Sequence, residues 1–107
     1  LMAISPLGHF FVDCNSSALD AIRRQSGSER LELPDPTAMA VALEPATVIR
    51  GISRHHIAVE ADSPLTRGMA VIDRLDVTGR DPNGHLVWEI DISRFKQLVF
   101  DAAAPTA

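Results

Sequence analysis

Several things are scarce in this sequence, and each scarcity removes a class of function. There is one cysteine, Cys14, in 107 residues. No internal disulfide can form, and a reducing, cytoplasmic compartment is the simplest expectation. No apolar run approaches the roughly 18 residues that a bilayer-spanning helix needs, and no charged-then-apolar leader opens the chain. No membrane is therefore expected as a partner. Positive charge is also short: ten Lys plus Arg against 14 Asp plus Glu give a formal net charge of -4. Such a balance offers no general attraction to nucleic acid or anionic lipid. A Gly-rich phosphate loop, a G-x-S-x-G elbow, H-E-x-x-H and Cys-x-x-Cys are all missing, which removes the common nucleotide, nucleophile and zinc signatures. The first residue is Leu1 rather than Met, so the expectation is a piece of something longer or a processed chain.

What is present is a globular composition, 46% hydrophobic and 22% charged, at the length of one ordinary domain. Leu7, Phe10, Phe11, Cys14, Ala18 and Ile22 recur at three- and four-residue steps. They predict a helix from Leu7 to about Gln25, begun by Ser5 and Pro6 and ended by Gly27. Cys14 lies on its apolar stripe and is expected to be a buried thiol. The sequon Asn15-Ser16-Ser17 falls inside this helix and reads as coincidence. A polar loop over 26–32 leads to Leu33-Pro34-Asp35-Pro36-Thr37 and the run Ala38 to Leu43, which has no polar face. A short helix with Pro36 at its first position, buried on every side, is predicted there.

Past Gly51 the apolar period changes to two. Ile57, Val59 and Ala61 predict a half-buried strand, and Met69 to Ile72 a strand covered on both faces. Asp81-Pro82-Asn83-Gly84 predicts a turn. Leu86, Trp88 and Ile90 then predict a third strand. Ile92, Phe95, Leu98, Val99 and Ala102 predict a last helix capped near Asp91 or Ser93. The class is α/β, in the order helix, helix, three strands, helix, as one segment 1–107 with a frayed tail from about Ala102.

Few side chains are candidates for chemistry. His55 and His56 are adjacent on a strand and point to opposite faces, so their rings do not converge on a metal. His9 and His85 have no partners at ligand spacing and are expected at the surface. Asp35 admits two readings. Aspartate is a favoured helix cap and would accept first-turn amides, and a carboxylate held between two prolines is also what a hard cation such as calcium requires.

The segment Leu33-Pro-Asp-Pro-Thr-Ala-Met-Ala-Val-Ala-Leu-Glu-Pro45 is followed by Val59-Glu-Ala-Asp-Ser-Pro-Leu-Thr-Arg-Gly-Met-Ala-Val-Ile-Asp73 and Gly79-Arg-Asp-Pro-Asn83. Together they resemble the C-terminal part of the inosine-uridine preferring nucleoside hydrolases. The family pattern is D-P-x-A-x-A-x-x-x-x-P and then V-E-x-x-x-x-L-T-R-G-x-x-V-x-D, and the resemblance covers about Leu31 to Phe100. It implies the late portion of an open α/β fold with a mainly parallel central sheet. It also implies hydrolysis of the N-glycosidic bond of ribonucleosides to ribose and free base, with a bound calcium ion. An N-terminal acid cluster D-x-D-x-x-x-D-D supplies most of that ion's ligands in the family, and the acid of the late D-P segment completes the shell. By residue match that acid is Asp35.

Two departures accompany the resemblance. Many members carry His before this Asp as a candidate acid for the leaving base, and Pro34 stands there instead. The acid cluster, and the mid-chain Asn and Glu that grip the ribose, lie outside these residues. The implied function is thus part of a nucleoside hydrolase whose isolated piece is inactive and whose partner is a ribonucleoside. The alternative is a non-catalytic structural or self-associating module derived from that fold. A strand and a helix that are apolar on all sides also predict exposed apolar surface, with self-association or strand exchange into a homo-oligomer.

Overall fold

The computed structural model describes residues 5–28, 30 and 32–105. They form two compact units. One comprises the chain up to Val48 and from Asp91 onward, and the other is Ile49–Ile90.

The first unit is helical. Helix α1, Pro6–Ser26, starts where Ser5 accepts a hydrogen bond from the Gly8 amide at 3.0 Å, and it stops at Gly27. Gly27 takes φ 66, a left-handed value that glycine adopts without steric cost. The Ser5 hydroxyl also donates to the Ala103 carbonyl, tying the start of α1 to the far end of the unit. Helix α2, Pro34–Leu43, leads through Glu44 into the single turn α3, Pro45–Val48. Helix α4, Ile92–Ala102, is capped by Asp91, whose carboxylate accepts from the Arg94 amide at 2.8 Å. Arg94 in turn grips Glu44 with Nε at 2.9 Å and Nη2 at 2.6 Å. This two-nitrogen geometry holds α4 to the end of α2. The Asp91 amide donates to the Val48 carbonyl at 2.8 Å, and Val48 is fully buried.

Two expectations fail in this unit. Helix α2 is not buried on every side: Met39 is 58% and Leu43 70% exposed, and Ala40 is its buried position. Cys14 is exposed, because only part of the apolar face of α1 is covered. Helix α4 ends at Ala102, and the residue after it is packed. Ala103 is buried and its amide donates to the Val99 carbonyl at 3.2 Å. Thr106 and Ala107 of the tail expected to fray, and Glu29 and Leu31 of the polar loop, lie outside the described residues.

The second unit is a three-stranded sheet in the order β2-β1-β3, with β1 Ile49–Val59, β2 Ala70–Asp73 and β3 Gly84–Ile90. The predicted element order stands, with α3 as an added turn, and both strand pairings here are antiparallel. Strand β1 begins at Ile49, well before the alternation that first revealed it, and ends before Ala61. Its register against β3 slips around Gly51, where a Cβ would lie 3.3 Å from that of Glu89. A glycine there permits the close approach. The expected two-sided cover of β2 is absent: Met69 and Val71 are each 52% exposed, since the unit is a single layer.

Candidate functional site

Asp35 sits at the second position of α2, and neither Asp35 nor Pro36 begins the helix. The cap residue is Leu33, whose side chain makes no capping hydrogen bond. The two prolines explain this. A helix normally starts with amides that lack intrahelical partners, but Pro34 and Pro36 have no amide to satisfy. Of the first-turn amides that of Asp35 alone remains, and the Thr37 amide already reaches the Leu33 carbonyl at 3.1 Å, seconded by the Thr37 hydroxyl at 2.7 Å. With little left to cap, the Asp35 carboxylate remains exposed. It lies in the first helical turn, where the aligned peptide dipoles favour negative charge. The capping reading of Asp35 is overturned.

Among the described residues, no three His, Cys, Asp or Glu side chains gather into a metal-binding group. Calcium takes six to eight oxygens, and Asp35 belongs to no such group among the described residues. The histidines diverge as expected. His55 packs edge-on to Trp88 with ring centroids 6.1 Å apart and meets the Ser53 hydroxyl at 2.8 Å. The opposite face carries His56, whose Nδ1 lies 3.1 Å from the Asp81 carbonyl. His9 and His85 are exposed.

The second unit holds a polar pocket of about 360 Å³ lined by Arg54, His56, Asp73, Arg74, Arg80 and Asp81, among others. Asp73 is committed within it. The Thr78 hydroxyl donates at 2.6 Å, and the amides of Thr78 and Val77 donate at 2.8 and 2.9 Å. These bonds, the hydroxyl's first, pull the Asp73 carboxyl down from its ordinary 3.8 to about 2. The first unit holds an apolar groove of about 340 Å³ between Leu7, Phe10, Phe11, Cys14, Pro36 and Val99, among others.

The L-T-R-G block proves to be hairpin hardware. The Glu60 carboxylate accepts from the amides of Asp62 and Ser63 at 2.8 and 3.0 Å, which lowers its pKa, the Ser63 bond most. Gly68 takes φ 87 and donates to the Glu60 carbonyl at 2.7 Å, while Arg67 is exposed at the loop. Asp73, the last residue of the block, organises the next loop. Asn83 was legible only as a turn residue, yet its side chain works as a piece of strand. Its Oδ1 accepts from the Ile57 amide at 2.8 Å and its Nδ2 donates to the Ile57 carbonyl at 2.9 Å. The Glu44–Arg94 pair spans fifty positions, and no local pattern pointed to it.

Comparison with known proteins agrees with the motifs. Residues 2–97 match the model of the family described as inosine-uridine preferring nucleoside hydrolase. Over 72 residues, 67% of this chain, the sequence is 35% identical to pyrimidine-specific ribonucleoside hydrolases RihA from Shewanella sp. strains ANA-3 and MR-4. The match covers 22% of each relative, so the chain spans about a fifth of their length. A family match over nearly the whole chain, carried by the D-P and L-T-R-G segments in order, places this chain in the inosine-uridine preferring nucleoside hydrolase family.

Proposed function

We propose that this chain is part of a ribonucleoside hydrolase, with Asp35 as one ligand of a calcium ion whose other ligands come from outside these 107 residues. The family match over residues 2–97 carries this reading. The exposure of Asp35 at the start of α2 supports it, because prolines on both sides release the carboxylate from capping duty. A bound cation of this kind lowers the pKa of a coordinated water and orients the sugar hydroxyls. The chain's contribution is one fixed negative charge at a rigid helix start. The described residues hold no cluster of acids to complete the site, and the isolated chain is inactive on this reading. Pro34 has no proton to give, so protonation of the leaving base falls to another group. The relatives' names make pyrimidine ribonucleosides such as uridine and cytidine the first substrates to try.

The test is a chimera in which the 72 matching residues of this chain replace their counterparts in the Shewanella hydrolase. We expect the chimera to release free base in a calcium-dependent way. Asp35→Ala should lower kcat/KM by at least about 100-fold, or about 2.7 kcal/mol. Equal activity in the Asp35→Ala chimera would overturn the ligand role. The 107-residue chain alone should show no saturable calcium binding by titration calorimetry, and micromolar affinity would contradict the proposal.

A further inference from the structure

We propose that the outer edge of β3 is a self-complementary docking surface for a second copy of this chain, joining two sheets into one six-stranded antiparallel sheet. The inference rests on the geometry of the second unit and is independent of the hydrolase reading. Strand β3 pairs with β1 on one side, and among the described residues no strand covers its other side. A seven-residue edge with free amides and carbonyls is a template for another strand. Strand β2 is also an edge, but its four residues offer little length.

Symmetry then limits the register sharply. In a two-fold antiparallel pair the axis must pass through a pair of equivalent residues, because backbone groups alternate inward and outward along each strand. Centring on Leu86 or on Trp88 lets only five strand residues pair. Centring on Val87 pairs all seven: Gly84 opposite Ile90, His85 opposite Glu89, Leu86 opposite Trp88, and Val87 opposite itself.

That same register is the one in which the side chains complement each other. Directly opposite residues share a face and lie about 5 Å apart. On one face His85 of each copy meets Glu89 of the other, an imidazole against a carboxylate, twice by symmetry. On the opposite face Leu86 meets Trp88, twice again. The Trp88 ring is already steadied by its bond to the Ser53 hydroxyl and by the Arg74 guanidinium 4.4 Å from its centroid, and it is 47% exposed. Either other centring sets Glu89 against Val87 or against Asn83, outside the strand. Length, charge and apolar matching thus select one register.

Sedimentation equilibrium of the 107-residue chain should show a monomer–dimer equilibrium. His85→Glu, which sets a second carboxylate against Glu89 at both symmetric contacts, should raise the dissociation constant at least about tenfold. Glu89→Arg should do the same, and the double variant His85→Glu/Glu89→Arg should restore dimerisation. Both changes lie on an exposed edge, so circular dichroism should show that each variant keeps its fold. For register, Val87→Cys in a Cys14→Ser background should oxidise to a disulfide-linked dimer, because the two Cα atoms would lie about 4.5–5.5 Å apart. His85→Cys in that background should not, since its own copies would sit about 13 Å apart. A monomer at all concentrations would overturn the proposal. So would a dimer indifferent to the charge reversals, or cross-linking at position 85 rather than 87.

Discussion

Asp35 and Asp73 are chemically the same residue put to opposite uses by their neighbours. Two prolines remove two of the amides at the start of α2 and leave Asp35 outward, while Thr78 and the turn amides draw Asp73 into the loop. Asp73 therefore titrates low, at about 2. Its depressed value means that the hydrogen bonds favour the folded state fully above pH 4 and release it as the pH falls from about 4 to about 2. Carboxyl chemical shifts should give that midpoint, and Thr78→Val, which removes the largest cause, should move it upward. Asn83→Ala should cost about 1–2 kcal/mol in denaturant unfolding, since it unpairs both backbone groups of Ile57. The sequence flagged Asp35 through its prolines and Asn83 through Asn-Gly. It did not reveal that one is left free and the other is a surrogate for backbone, because both outcomes depend on which amides need partners.

At the scale of elements, α1 was readable to within a residue, since Ser5, Pro6 and Gly27 each carry a local physical reason for their place. Asp91 likewise announced α4. The sequence shows only the later part of β1, because Ser53, Arg54, His55 and His56 conceal its alternation behind polar side chains on a half-exposed sheet. The block from Glu60 to Asp73 was legible as a family signature but not as a device. It fixes a hairpin loop through the Glu60 carboxylate and Gly68, and the following loop through the Asp73 carboxylate. Gly68→Ala meets no atom within 4 Å, so its expected cost of about 1–2 kcal/mol is purely that of a left-handed backbone. Urea unfolding should register it, and Gly68→Asn should recover part of the loss.

At the scale of the whole molecule, the apolar pattern promised more burial than these residues supply. Met39 and Leu43 are open, as are Leu65, Leu75 and Val77 at 80–90% exposure. Periodicity records which side chains are apolar and is silent about what covers them, which is why the apolar run of α2 predicts an enclosure that the structure does not show. Leu43→Lys should accordingly change the stability of the isolated chain by less than about 0.5 kcal/mol. In the hydrolase chimera the same change is expected to abolish soluble protein, measured by yield and thermal unfolding. The hydrogen bond from the Asp91 amide to the Val48 carbonyl carries a further consequence. The chain leaves the helices at Val48 and rejoins them at Asp91, two residues already in contact, so the sheet is a parenthesis in the helical text. Grammar of that kind permits deletion: a chain running from Val48 through two glycines into Asp91 should keep its helical circular dichroism. The excised hairpins become a cassette that can be moved into another host loop.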